Sequence, residues 1–478
     1  MLKTRSEDRA MQIPHVMIVG GGFSGTALAI HLARNATAPL RVTVVEPRQT
    51  LGAGVAYSTQ EPAHRINVPA SRMQLSGDEQ GAFDRWYRQQ PECSLDSVAH
   101  CADGAVYPQR GMFGRYLAEQ FAQAALQHPQ VTLRHIQASA LAWEGQQLLL
   151  SNGETLEGNV LALAISHPPP SLPRALLPFS AHPALIANPW QPGVLDNIDS
   201  HASVAIIGTG LSMADVVASL ATRQHRGPLL AFSRRGQLSR ANLSGEWPEW
   251  TLAPHPQPST RLWLHHIRAE VARAAEQQLP WQRVLDEVRA QGQSIWQSLS
   301  LREQQRFVRH LRSWWDVHRY RIAPQVASEI TQRQQAGTLR VLAARLAAIA
   351  SRGDQLDITL HTRDGATEHH PLDHLIVTTG PGHEALTASQ PLLLSLSQQG
   401  IIRADALGFG IDVDRHSHTL TRSGQPNQNV FVVGPAARAR FGELMGLPQV
   451  ADHAAEVARQ ILLSLHIKHA ERCPPLAP

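Results

Sequence analysis

The sequence predicts an α/β fold in which one doubly wound domain is split by a second. Three observations carry that expectation: a glycine-rich turn between a short strand and a helix at 20–25, a second turn of the same kind at 208–214, and a change to helical periodicity between about 238 and 336. The length agrees, since 478 residues at 43% hydrophobic composition make about two to three domains of roughly 150 residues each, with ample core.

The elements follow in order. His15 to Val19 reads as a buried strand, Gly20-Gly21-Gly22-Phe23-Ser24-Gly25 as the turn, and Thr26 to Arg34 as a helix. In this G-x-G-x-x-G pattern the first glycine permits the tight turn and the second lets the backbone approach a pyrophosphate. The third lets helix and strand pack closely, and the helix N-terminus adds free N–H groups and positive dipole charge. A second strand, Arg41 to Glu46, ends in a carboxylate 26 residues after Gly20, where Glu46 would bind the ribose hydroxyls of an adenosine. Gly20, Gly22, Phe23, Ser24, Gly25 and Glu46 are therefore expected to hold a dinucleotide.

The signature returns in Ala202 to Asp215, with Gly208, Gly210 and Ser212 at the turn and Met213-Ala214 where a third glycine would stand. Close helix packing must be met differently there. The next strand, Leu229 to Ser233, runs into Arg234-Arg235, where an NAD-specific site would carry an acid. Arginine accommodates a ribose 2′-phosphate that a carboxylate would repel, so the second site reads as NADPH-preferring. The other reading is a pair of solvated arginines at a strand end.

Each half closes with a strand and a turn: Asn159 to Ile165 before His167-Pro168-Pro169-Pro170, and Leu375 to Thr379 before Gly380-Pro381-Gly382, which adds Gly380 to the expected cofactor contacts. A last strand, Asn429 to Val433, leads to Gly434-Pro435 and then to a helix from about Pro448 to Leu463. The expected organisation is an N-terminal nucleotide-binding part at 11–167, a second nucleotide-binding domain at 171–380 with a helical insertion at about 238–336, and a return segment at 381–470 that completes the first.

The insertion carries seven of the ten tryptophans. Its run from Arg306 to Arg321 combines cations with aromatic faces, and Arg309, Arg312 and Arg319 would suit an anionic substrate, because guanidinium groups bind carboxylates bidentately. The same run could be a charged helix face with tryptophans packed beneath it. No compact basic patch argues for nucleic acid, and 43 basic against 39 acidic residues leave a net charge of only +4.

Other chemistries are poorly supported. Cys93, Cys101 and Cys473 are an odd set with no C-x-x-C, so no disulfide scaffold, zinc ribbon or redox dithiol is expected and a reducing cytoplasm fits. The histidines show no metal-ligand spacing, and neither a nucleophile elbow nor a triphosphate-binding loop is present. No apolar run reaches the roughly 18 residues needed to cross a bilayer. Met1 to Ala10 does not look like a signal peptide, and Met11 is a possible alternative start.

Two dinucleotide sites in one chain are explained economically by FAD in the first and a nicotinamide hydride donor in the second. Cys93 and Cys101 lie eight apart and do not make the close pair a disulfide reductase requires. Oxygen activation by reduced flavin remains, or electron delivery to another acceptor.

The run Gly52-Ala53-Gly54-Val55-Ala56-Tyr57-Ser58-Thr59, followed by His64 to Ala70, resembles the bacterial FAD/NAD(P)-binding protein family related to flavin-containing monooxygenases. The resemblance extends through the Gly208 turn, the Arg309 to Arg319 run and Val432-Val433-Gly434-Pro435, from about 14 to 463. It implies two Rossmann-like dinucleotide-binding domains. It also implies that Gly54, Val55, Ala56 and Tyr57, with Asn67 and Val68, lie near the flavin and that Gly434 lies near its pyrophosphate or ring edge. One branch is similar to L-aspartate N-hydroxylases, for which an arginine-rich helix would suit a dicarboxylate. The Ala437-Arg438-Ala439-Arg440 stretch departs from the acidic residue that related flavoproteins often carry there.

The expectation is therefore a cytoplasmic, FAD-dependent, NADPH-using monooxygenase acting on a small anionic molecule with O2, under a tryptophan-rich lid, with no nucleic acid or membrane as partner. The alternatives are a flavin reductase or dehydrogenase and a non-catalytic redox sensor. Oligomeric state and catalytic residues are left open.

Overall fold

The computed structural model describes residues 13–165, 167, 168, 170, 172–380 and 382–466. Met1 to Ala10, Met11, Pro169, Pro381 and Cys473 lie outside the described residues.

The chain opens with β1 (His15–Val19), α1 (Phe23–Asn35) and β2 (Leu40–Val45). Every β1 residue is buried, as expected of a parallel strand covered on both faces. Helix α1 starts inside the glycine turn, three residues earlier than the sequence pattern predicts, and is buried almost all round. Short helices α2 (Ala82–Arg88) and α3 (Pro91–Leu95) lead to α4 (Arg110–Gln127) and β3 (Val131–Ile136). A small antiparallel sheet of β4 (Ala140–Glu144), β5 (Gln147–Leu150) and β6 (Thr155–Glu157) precedes β7 (Val160–Leu163).

The second unit begins with β8 (Leu185–Ile186), β9 (Val204–Ile207), α5 (Leu211–Thr222) and β10 (Leu229–Ser233). Five helices stand apart from the sheet: α6 (Thr260–Glu276), α7 (Trp281–Ala290), α8 (Gly292–Ser298), α9 (Leu301–His310) and α10 (Arg312–Arg319). Helix α11 (Pro324–Gln335) packs on α5 and leads into β11 (Leu339–Arg352). It belongs with the sheet, because parallel β10 and β11 need a crossover between them. The part that stands apart thus ends near 322, and its two ends are clasped by Ile322 N donating to Arg240 O and Asn242 N donating to Ile322 O. Strands β12 (Gln355–Thr362) and β13 (Thr367–Leu372) extend the sheet antiparallel, and β14 (His374–Val377) returns beside β9.

Helix α12 (Pro391–Gln398) precedes β15 (His418–Leu420) and β16 (Pro426–Val432), followed by α13 (Arg438–Phe441) and α14 (Gln449–Ser464). The first sheet has the order β15-β16-β7-β1-β2-β3 and the second β13-β12-β11-β10-β9-β14-β8. The last strands of the chain therefore complete the first sheet, with β16 parallel to β7 and α14 packed on α1. Among the described residues no helix is long and apolar enough to cross a membrane, and no cluster of His, Cys, Asp or Glu could hold a metal ion.

Candidate functional site: two glycine turns and a capped cavity

The first turn places Gly20 at φ +104°, where a β-carbon would lie 2.3 Å from the Ala164 carbonyl oxygen. Only glycine adopts that conformation readily. Helix α1 then begins with no side-chain cap and no acid in its first turn, so its leading N–H groups and the positive end of its dipole face outward, as an anionic diphosphate requires. Glu46, 4% exposed at the end of β2, accepts the Gly21 N–H at 2.8 Å through Oε2. Its Oε1 accepts from Arg48 Nη1 at 2.9 Å and Arg48 N at 3.1 Å. Oε2, with a single donor, can accept a second hydrogen bond, so Glu46 can brace the turn and still meet a ribose hydroxyl.

The segment that the family resemblance implied packs onto this turn. Gly52 N donates to Gly21 O at 2.8 Å, and Gly54 backs directly onto Gly22, whose β-carbon would stand 3.3 Å from Gly54 Cα. Val55 and Ala56 are exposed, and the Tyr57 ring meets Phe113 edge-on, with Phe23 stacked on the same phenylalanine. Asn67, half-buried next to Val68, receives the Asn242 side-chain amide on its carbonyl at 2.8 Å. Gly434, φ +87°, sits against Ser24, whose Oγ a β-carbon would meet at 2.2 Å. Its N–H donates to His453 Nδ1 at 3.1 Å, and the other ring nitrogen pairs with Ser417 Oγ. Burial pushes the His453 pKa down to about 4, which keeps Nδ1 an acceptor. No sequence motif singled out His453; its role depends on α14 returning to α1.

At the second turn Gly208, φ +117°, lies against Thr378, two residues before Gly380. No described residue lies within 4 Å of a β-carbon placed at Gly210 or Gly380, so backbone there is open to an incoming group. Helix α5 also starts without a cap or a first-turn acid. Ser212 is half-buried on its first turn, and Met213, at the place of the missing third glycine, is buried in the core. Arg234 is exposed, and the half-buried Arg235 lies 6.0 Å from the Trp314 ring centre. Helices α4 and α5, one from each unit, are joined by a buried pair, Arg110 Nη2 to Asp215 Oδ1 at 2.8 Å. Alongside, Ser219 Oγ and His64 Nε2 lie 3.2 Å apart, and burial with the nearby Arg110 and Arg223 charges holds His64 down at about 3.

The separate helices line a half-open cavity of about 550 Å³, bordered by Trp263, Trp281, Trp296, Trp314 and Trp315, with Phe409 and residues of the 438–445 segment also on its wall. The expectation of three arginines on one anion site needs correction. The chain breaks at Leu311, so the run forms two helices rather than one. Arg309 is exposed and outside the cavity wall. Arg319 is buried and also off the wall, paired through Nε with Glu443 at 2.6 Å. Arg312 alone of the three lines the cavity. Its companion is Arg438, from the stretch that departs from the family pattern, buried in the wall with Nε and Nη2 lacking partners among the described residues. Burial lowers the Arg438 pKa to about 10 and raises that of Asp316, also on the wall, to about 6.

Residues 17–168 match the model of a family described as FAD-NAD(P)-binding. No curated protein matches the chain. Among solved structures, the reduced ornithine hydroxylase of Pseudomonas aeruginosa aligns over 95% of this chain and 100% of its own, at 16% identity and a TM-score of 0.62. An ornithine N-hydroxylase of Kutzneria sp. 744, with reduced FAD, NADP+ and L-ornithine, aligns over 94% and 99%, at 16% identity and 0.59. The FAD-bound cadaverine monooxygenase of desferrioxamine biosynthesis from Erwinia amylovora aligns over 94% of each chain, at 13% identity and 0.63. Residues 17–168 are therefore similar to FAD-NAD(P)-binding domains, and the chain as a whole shares its fold with these three enzymes.

Proposed function

We propose that this chain is an FAD-dependent, NADPH-using monooxygenase that hydroxylates an anionic small molecule held beneath its helical cap. The observation that carries this reading is continuity. One segment, Gly434 to Met445, abuts Ser24 at the first glycine turn and supplies Arg438 and Glu443 to the cavity wall. The uncapped starts of α1 and α5 would hold the two diphosphates, with Glu46 on the adenosine ribose of the first and Arg234 or Arg235 on the 2′-phosphate of the second. Bound FAD, once reduced by NADPH, supplies the activation of O2 and the transfer of one oxygen atom. The chain's own part is to orient the substrate through Arg312 and Arg438 and to exclude water with the tryptophan-lined cap.

The test is turnover of the FAD-loaded protein with NADPH, isotopically labelled O2 and a panel of organic acids beginning with L-aspartate. Labelled oxygen in a product, matched by NADPH consumed, is the expected result. NADPH oxidation that yields only reduced oxygen species across the panel would replace this reading with a flavin reductase, and failure to oxidise NADPH at all with a redox sensor.

A further inference from the structure

The cavity beneath the cap is larger and more apolar than a short diacid needs. Its volume, about 550 Å³, falls within the range of about 300–1,000 Å³ typical of sites for drug-sized ligands. Much of its wall is hydrocarbon and aromatic, from Trp263, Ile267 and Val271 on α6 through Trp281 and Val288 on α7 to Trp296 on α8. Charge is gathered at one end. The Arg312 and Arg438 guanidinium carbons lie 4.8 Å and 4.4 Å from the centre of the same Phe409 ring. Arg438 is 5% exposed, with Nη1 on the Met445 sulfur and Nε and Nη2 unpartnered among the described residues. Buried donors without acceptors are costly, and a carboxylate is the group that satisfies a guanidinium edge with two parallel bonds.

The balance of charge at that end sets the valence. Glu443 is occupied, accepting from Arg319 Nε at 2.6 Å and Trp315 Nε1 at 2.7 Å. Asp316, 3.5 Å from Arg312 Nε, offsets one of the two cations that remain. Arg268, also on the wall, is exposed and screened by water. Behind the wall, Asp405 acts on Arg438 and Arg289 acts on Glu443 with opposite sign, so one net positive charge is left, which complements a single carboxylate rather than two.

We propose that the cavity selects a monocarboxylate with an extended apolar or aromatic body, its acid group between Arg312 and Arg438 beside Phe409 and its body along Trp263, Ile267, Trp281 and Trp296. As a statement about substrate this rests on the monooxygenase reading; as a statement about a binding site it does not. The apolar body contributes in proportion to the area it removes from water, and the arginines decide which end enters the charged corner.

The FAD-loaded protein is titrated with 4-phenylbutyrate, with 4-phenylbutylamine as the same body of opposite charge, and with succinate and L-aspartate as charge without body. Binding is read from quenching of tryptophan fluorescence and from calorimetry. The expected result is saturation by phenylbutyrate at concentrations at least about tenfold below those for the other three. Arg438→Gln and Arg312→Gln are each expected to weaken phenylbutyrate by about tenfold or more while leaving the amine unchanged. Because Arg438 is buried, the half-exposed Arg312→Gln keeps the test decisive if the first variant does not fold. Succinate or L-aspartate saturating below phenylbutyrate would overturn the proposal, as would equal binding of the amine. Phenylbutyrate binding in a protein that never incorporates labelled oxygen would remove the monooxygenase reading and leave the site; labelled product from L-aspartate without phenylbutyrate binding would do the reverse.

Discussion

At the first glycine turn the backbone of Gly54 faces Gly22 and the Ser24 side chain faces Gly434, whereas at the second nothing lies within 4 Å of the place a Gly210 β-carbon would take. Glu46 beside the first turn is 4% exposed and held by three hydrogen bonds, while Arg234 beside the second is exposed. The same sequence pattern thus builds a closed cradle in one place and an open one in the other. A closed cradle suits a group that stays bound through turnover, and an open one suits a group that arrives and leaves in each cycle. On the proposed reading, FAD would take the closed turn and NADPH the open one.

Breaking the buried pair between α4 and α5 has the largest expected effect. Arg110→Ala would leave Asp215 buried and unpaired at 4% exposure, a loss of about 3–5 kcal/mol for an interior ion pair, measured as a fall in denaturant midpoint at unchanged slope. A loss below about 1 kcal/mol would show a pair as weak as one at the surface and would remove it as the joint between α4 and α5.

The contrast between the cradles is sharpened by alanine at one glycine of each. In Gly25→Ala the new β-carbon would lie 1.9 Å from the Gly20 carbonyl oxygen. About 1–3 kcal/mol of destabilisation and a protein purified without its yellow colour are expected. Gly210→Ala enters open space and should cost no more than about 1 kcal/mol at the head of its helix. It should keep FAD and raise the KM for NADPH. Equal loss of FAD in both variants would contradict the division of cofactors.

The smallest effect is expected at the exposed rim of the second site. Replacing Arg234 and Arg235 together by Ala should raise the KM for NADPH by about tenfold, roughly 1.4 kcal/mol, and leave that for NADH little changed. The NADPH effect should shrink as salt is added, because the Arg234 charge is solvent-facing. The same change in both KM values would show that neither arginine reads the 2′-phosphate.

Both glycine turns, their strands and the carboxylate of Glu46 were legible because each is a local device. A strand, a turn that needs glycine and a helix start sit within about ten residues in this fold, and the residues that make the geometry are also its signature. The return of the chain to the first sheet was legible for the same reason, through Val433-Gly434-Pro435. The early start of α1 and the assignment of α11 to the second sheet were not, since both depend on which neighbour covers the helix.

The cavity was the least legible part. From its spacing, Arg309 looked equivalent to Arg312, yet a break at Leu311 separates them and leaves Arg309 exposed. Arg438 was visible only as a departure from a family pattern, and Phe409 and Glu443 carried no signal.

By itself, the sequence determined that two glycine turns between a strand and a helix exist, in what order they come, and that a tryptophan-rich helical segment interrupts the second unit. Only the tertiary structure decided that one turn is closed and the other open, that His453 holds the Gly434 turn, and that Arg312 and Arg438, 126 positions apart, meet on one aromatic ring. The physical reason is range: turns and helix starts are set by the conformations of neighbouring residues, whereas enclosure, charge balance and cavity shape arise from contacts between segments distant in the chain.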